Sequence, residues 1–206
     1  MAKSEFTLKL QNVVVSGTFE QKVPLEKLAT LMDNVEYTPE QFPGAVLRLL
    51  DPKLSVLIFS SGSIVITGLK SPSEVPSAVE RIRKELKKAN INLTKPAKTQ
   101  VQNMVASVNV DVKLNLDELA FELENAEYNP EQFPGLVYKP ESKTSKISFL
   151  LFTTGNFVAV GAKSKKEMIV AIEALIEKLK KIKTAAVFGK GTPAKKEEKK
   201  KAPVKK

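Results

Sequence analysis

The chain has 206 residues, 42% of them hydrophobic, a net charge of +10, and neither cysteine nor histidine. Its length supports a packed core, while the missing residue types exclude disulfides, thiolate nucleophiles, the common zinc sites and imidazole-based triads. No apolar run approaches the roughly 18 residues of a membrane span, and Met1-Ala2-Lys3-Ser4-Glu5 lacks the apolar stretch of a signal peptide, so a cytoplasmic protein is expected.

Residues 1–9 read as a short leader. Leu10 to Ser16 is a Val-rich strand. Pro24 opens a short helix with Leu25, Leu28, Leu31 and Met32 at helical spacing. Three strands are predicted at Ala45 to Leu50, Leu54 to Phe59 and Ile64 to Thr67, separated by turns at Asp51-Pro52-Lys53 and Ser60-Ser61-Gly62-Ser63. Ser73 is the expected N-cap of a long helix with Pro76 in its first turn and a stripe of Val75, Val79, Ile82 and Leu86. Residues 89–99 read as a joint.

The same order then returns. Val101 to Val108 is a strand, and Asn115 caps a helix bearing Leu116, Leu119, Ala120 and Leu123. Strands follow at Leu136 to Tyr138, Ile147 to Phe152 and Phe157 to Val160. Ser164 and Glu167 form a capping box for a helix carrying Ile169, Ile172, Leu175, Ile176 and Leu179. Periodicity ends at 182, and residues 183–206 are expected to be a disordered Lys-rich tail. Residues 190–206 alone hold eight Lys and two Glu, supplying +6 of the net charge. Such a basic balance fits an acidic partner such as nucleic acid, or simple solubility.

One segment occurs twice almost unchanged. Glu36-Tyr37-Thr38-Pro39-Glu40-Gln41-Phe42-Pro43-Gly44 recurs as Glu127-Tyr128-Asn129-Pro130-Glu131-Gln132-Phe133-Pro134-Gly135, 91 residues later. Its prolines make it a loop, and the period is that of a folded half rather than a solenoid unit. The chain therefore divides into a first repeat, 1–95, a second, 96–182, and the tail. Two further residues in the second half are expected in the Pro140–Lys146 turn. Each half is an α+β unit, and the two sheets can join edge to edge.

Strand alternation puts apolar residues on both sheet faces. The helices can cover Val13, Val15, Val56, Ile58, Ile64, Ile66, Phe149, Leu151 and Phe157. The other face carries Asn12, Val14, Leu57, Phe59, Val65 and Thr67, with Asn103, Val105, Leu150, Phe152, Val158 and Val160 in the second half. A free sheet face is normally polar, so a contiguous apolar one marks either a binding surface or a face closed over by another subunit or the chain itself.

These residues resemble the TATA-box-binding protein family. The resemblance spans about residues 8–182. It rests on Leu10-Gln11-Asn12-Val13-Val14 and Val101-Gln102-Asn103-Met104-Val105, on both loop segments, on Leu57-Ile58-Phe59-Ser60-Ser61-Gly62, and on Val65-Ile66-Thr67-Gly68 followed by Lys70. With no long N-terminal region it looks more like an archaeal member. It implies a pseudo-twofold saddle, one curved antiparallel sheet with two long helices on the convex face. The family is itself the standing example of minor-groove binding with inserted apolar wedges.

By that pattern Phe42 with Phe59, and Phe133 with Phe152, are wedge pairs that kink DNA. Asn12 and Asn103 donate to base acceptors at the centre. Val14, Leu57, Val65, Thr67, Val105, Leu150, Val158 and Val160 line the groove floor, and Arg48, Lys70, Lys139 and Lys163 meet phosphates. Glu131 matches a contact for transcription factor B, which with RNA polymerase is an implied partner. Core packing remains the expectation for Phe19, Phe121, Phe149 and Phe157. Three residues depart from the family pattern: Val160 stands where the first half has Thr67, and Ser63 and Asn156 replace a lysine.

The implied function is a general transcription factor that binds TATA-box duplex and nucleates pre-initiation complex assembly. A protein-interaction module using the apolar sheet face is the alternative. A DNA-repair glycosylase on a related fold is disfavoured by the lack of His, Cys and a recurring acidic pair. No catalytic residue, metal, cofactor, small-molecule substrate or membrane is expected.

Overall fold

The structure, a computed structural model, describes residues 6–141, 146–182 and 189–190. β1 spans Thr7–Thr18, so the supposed leader already contributes Thr7, Leu8 and Lys9 to the sheet. Pro24 precedes α1, Leu25–Leu31, which buries Leu25 and Leu28 and leaves Leu31 exposed at the edge of its stripe. Two short edge strands, β2 at Val35–Glu36 and its counterpart below, were not expected. β3 (Gly44–Leu49), β4 (Leu54–Phe59) and β5 (Ser63–Leu69) form the meander, with Leu50 already in the turn.

The long helix begins differently from the sequence reading. Ser73 is not its cap: Ser71 Oγ accepts from the amide of Ser73 and opens a 3₁₀ turn, Pro72–Glu74, and Glu74 then stands at the N-cap of the long helix with no capping side-chain hydrogen bond. α2, Val75–Lys88, then buries Val75, Ala78, Ile82 and Leu86, the i, i+3, i+7, i+11 face of a helix. The joint is packed: Ile91 and Leu93 are buried, and Gln21 brackets it by donating to Asn92 O at 2.7 Å and accepting from Thr94 N at 3.1 Å.

In the second half β6 spans Lys98–Asn109 and β7 Val112–Lys113. Asn115 caps α3, Leu116–Glu122, as expected. β8 (Ala126–Glu127), β9 (Leu136–Tyr138), β10 (Ser148–Leu151) and β11 (Asn156–Ala162) complete the sheet. α4, Lys165–Lys181, buries Met168, Ile172, Leu175, Ile176 and Leu179, with Met168 in the place expected for Ile169. Ser164 Oγ accepts from Glu167 N at 3.1 Å, while Glu167 Oε2 accepts from Lys163 N, one residue before the cap.

Core packing fails for Phe121, which is 93% exposed. The 3.6-residue period turns it away from the buried Leu116, Leu119 and Leu123. Of the Lys-rich tail only two residues are described. Gly189–Lys190 form β12 and pair antiparallel with Lys113 and Val112; the rest of the tail, and most of the Pro140–Lys146 turn, lie outside the described residues.

Ten strands form one antiparallel sheet in the order β2-β3-β4-β5-β1-β6-β11-β10-β9-β8. The halves join through β1 and β6, whose register pairs Asn12 with Val105, Val13 with Met104 and Val14 with Asn103. Val13 and Met104 are equivalent positions, 91 apart, so the pseudo-twofold axis passes between them. One continuous core lies between the sheet and the helices. Every residue assigned by alternation to the helix face is buried, from Val13, Val15, Val56, Ile58, Ile64 and Ile66 to Phe149, Leu151 and Phe157.

Candidate nucleic-acid interface

The opposite face has no helix over it. Asn12, Val14, Leu57, Val65, Thr67, Asn103, Val105, Leu150 and Val158 are half-buried by their own neighbours, and Val160 is 36% exposed. The outer strands extend this apolar surface with Val46, opposite Leu57, and Val137, opposite Leu150. Both were missed in the sequence, although alternation between buried Ala45 and Leu47 was the signal for Val46.

The centre of the face is built by two equivalent locks. Asn12 Oδ1 accepts from the amide of Gly68 at 2.8 Å, and Asn103 Oδ1 from that of Gly161 at 2.9 Å. Both glycines sit at irregularities in strand register and have positive φ, +101° and +118°, which an extra residue in a strand requires and glycine adopts freely. With the oxygen committed, each Nδ2 has no protein acceptor among the described residues, leaving two donors at mid-sheet. The flanking glutamines tie the halves together: Gln11 donates to Ser107 Oγ and Gln102 to Ser16 Oγ, each at 2.7 Å.

Phe42 and Phe59 meet edge-to-face with ring centroids 5.8 Å apart, and Phe133 and Phe152 with centroids 6.1 Å apart. Phe42 and Phe133 are 39% and 43% exposed. The loop aims them through paired amide bonds, from Gln41 and Phe42 to Thr38 O and from Gln132 and Phe133 to Asn129 O. The glycine after each Pro is needed for space: a Cβ at Gly44 would lie 2.8 Å from Phe42 Cε1, and one at Gly135 would lie 2.6 Å from Phe133 Cε1. The repeated Phe-Pro-Gly thus encodes a ring-pair site at each end of the sheet.

The basic positions are less free than the sequence implies. Arg48 forks onto Glu36, with Nη2 2.8 Å from Oε2. That hydrogen bond, with the guanidinium charge, holds the Glu36 carboxyl below its ordinary value. The equivalent Lys139 lies 3.8 Å from Glu127. Lys70 donates to Gln11 O at 2.6 Å, and its amide is held by Glu74 as that of Lys163 is by Glu167. Thr67 Oγ1 donates to Ser55 O at 3.3 Å; Val160, opposite Ser148 as Thr67 is opposite Ser55, brings no hydroxyl. Glu131 is exposed in its loop.

Residues 7–89 and 98–182 match the family model described as "Transcription factor TFIID (or TATA-binding protein, TBP)". The chain belongs to the TATA-box-binding protein family. The TATA-box-binding protein of Sulfurisphaera tokodaii is 45% identical over 172 residues, 84% of this chain and 86% of that protein. The Methanocaldococcus jannaschii protein of the same name is 41% identical over 175 residues, covering 85% and 94%. The solved structure "Methanococcus jannaschii TBP" superposes with a TM-score of 0.77 at 42% identity, over 84% of this chain and 98% of that one. Membership in this family fixes the α+β fold with its open antiparallel sheet and places the chain among transcription factors rather than glycosylases. No helix among the described residues is long and apolar enough to cross a membrane.

Proposed function

We propose that the uncovered sheet face binds the minor groove of TATA-box DNA and that the two Phe pairs kink it. The observation that carries this reading is the doubled constellation: a ring pair at each end of an apolar face, with two oxygen-locked asparagine amides at its centre. A minor-groove floor offers the A N3 and T O2 acceptors, and only G·C adds an amino group. The Nδ2 groups of Asn12 and Asn103 suit those acceptors. Val14, Leu57, Val65, Val105, Leu150 and Val158, with Thr67 and Val160, form a surface that a guanine amino group would foul, because it would be buried without a partner.

Phe42 with Phe59 and Phe133 with Phe152 would enter base steps, the known mode of this family. Arg48, Lys70, Lys139 and Lys163 would contact phosphates, supplying affinity and salt dependence rather than sequence choice. The exposed Glu131 loop is suited to a protein partner, since a carboxylate repels phosphate. On this reading the protein acts in the cytoplasm as a platform for transcription factor B and RNA polymerase, each repeat being one half of the DNA-binding unit.

A gel-shift comparison of TATA and G·C-rich duplexes at two salt concentrations tests it. Affinity should fall with salt for both, while the preference for TATA persists. Equal affinities that vanish together on raising salt would reduce the surface to nonspecific charge binding.

A further inference from the structure

The two halves of the uncovered face copy each other along the proposed groove floor. Asn12 and Asn103, Val14 and Val105, Leu57 and Leu150, and Val65 and Val158 are identical pairs. Thr67 and Val160 are the pair that differs. Their surroundings do not. Thr67 stands opposite Ser55 and Val160 opposite Ser148, and each precedes the glycine whose amide is held by an asparagine oxygen. Neither side chain belongs to the core, since Thr67 is half-buried and Val160 is 36% exposed.

Threonine and valine have nearly the same shape, so the two positions exclude a bulky group by volume alike. They differ in polarity. Thr67 Oγ1 directs its proton to Ser55 O at 3.3 Å, which is long for a hydrogen bond between oxygens, and its lone pairs remain. The hydroxyl can therefore accept from a donor on the groove floor. That donor is the guanine amino group, the feature by which G·C differs from A·T in the minor groove. Thr67 is thus the exception on a floor that otherwise leaves this group without a partner. At Val160 the same amino group would meet only methyl groups and lose its water unpaired, which is what makes burying a polar group costly.

We propose that Thr67 and Val160 give the DNA contact a direction: the first repeat tolerates a G·C pair beneath Thr67, and the second repeat rejects one beneath Val160. The inference rests on the proposed sheet-face contact and names the place where its specificity is asymmetric. A site with one off-centre G·C pair is then bound in one orientation, with the first repeat over that pair. The ring pairs do not supply such a polarity, because Phe42 with Phe59 and Phe133 with Phe152 form equivalent contacts.

The test uses the full chain and palindromic A·T duplexes in which a G·C pair replaces each off-centre position in turn, in one half or in both. Because the chain has no cysteine, a DNA-cleaving iron chelate can be attached through Ser61→Cys, in the exposed turn beside Phe59. On the pure A·T duplex its cuts fall equally on both flanks by symmetry. With one G·C pair at the critical position they should move to the flank nearer that pair, with little loss of affinity. With G·C in both halves one pair must lie under Val160, and affinity should fall about tenfold, the equivalent of one unmade hydrogen bond. Inosine paired with C, which lacks the amino group, should behave as A·T. Val160→Thr should restore affinity for the doubly substituted duplex and return the cuts to both flanks. Thr67→Val should also return the cuts to both flanks, but extend the loss of affinity to a single G·C pair.

Equal cutting of both flanks at every G·C position, the same orientation with inosine, or an orientation unchanged by both swaps would overturn the inference while TATA preference stands. Absence of TATA preference in the unchanged protein would overturn the sheet-face reading and this inference together.

Discussion

Asn12 and Asn103 do two things with one side chain, and the two can be separated. The oxygen closes a backbone irregularity by accepting from Gly68 or Gly161, and the nitrogen is left to face outward. Asn12→Asp keeps an acceptor for the Gly68 amide but removes both outward donors and adds a negative charge. Thermal unfolding should shift little. TATA affinity should fall at least about tenfold, since the lost bond alone is worth roughly 1 kcal/mol and the carboxylate faces acceptors and phosphates. A melting curve beside a binding titration checks both; a large loss of stability with unchanged affinity would make the residue purely structural.

Glu36 and Arg48 give a second residue-scale expectation. Because Arg48 lowers the folded-state pKa of Glu36, the pair's contribution is complete above the ordinary carboxylate range and disappears as pH falls through the lowered value. Near neutral pH Arg48 is therefore occupied by Glu36, and a phosphate must displace it. Glu36→Gln should tighten DNA binding and steepen the salt slope by up to ~0.9. Binding titrations over a salt series read this directly, and weaker binding in the variant would place Arg48 outside the contact.

At the scale of elements, alternation and capping were legible in the sequence, and short or context-dependent features were not. Every helix-face residue followed from period two, because one-sided burial leaves a strand no other register. The two-residue strands β2 and β8 carry too little pattern to be seen, and Thr7 to Lys9 join β1 only because β6 is there to pair with them. Phe121 shows the converse error: its apolar character suggested core, but its helical phase decided otherwise. That a 3₁₀ turn capped by Ser71 precedes α2, which then starts after Glu74 without a side-chain cap, is a local detail the serine pattern did not carry. At α4, where Ser164 was legible, Ser164→Ala removes the acceptor for Glu167 N and should cost about 1 kcal/mol, measurable as a shift in denaturant midpoint with an unchanged slope. No change would mean the cap is already satisfied by solvent.

At the scale of the whole molecule, repetition did most of the work. A 91-residue period in the sequence becomes a twofold relation in space through the pairing of Val13 with Met104. Features that occur twice could thus be read as one device at two ends. The sequence could also place the four Phe residues in motifs, but not show that each pair would touch, nor that Gly44 and Gly135 make the contact possible. What breaks the symmetry was harder to read. The Thr67 and Val160 difference was visible by alignment of the halves, whereas the β7–β12 pairing was not, since two residues within a lysine-rich run carry no strand signal.

The central claim is that the Phe pairs deform the duplex while the fold stands without them. Fluorescence energy transfer between dyes at the two ends of a TATA duplex measures this directly, with the wild-type chain, Phe59→Ala and Phe152→Ala compared at saturating protein. The account predicts end-to-end shortening with the wild type, and a clear loss of it with either variant although circular dichroism and sheet content are unchanged. Equal shortening by all three proteins would contradict it.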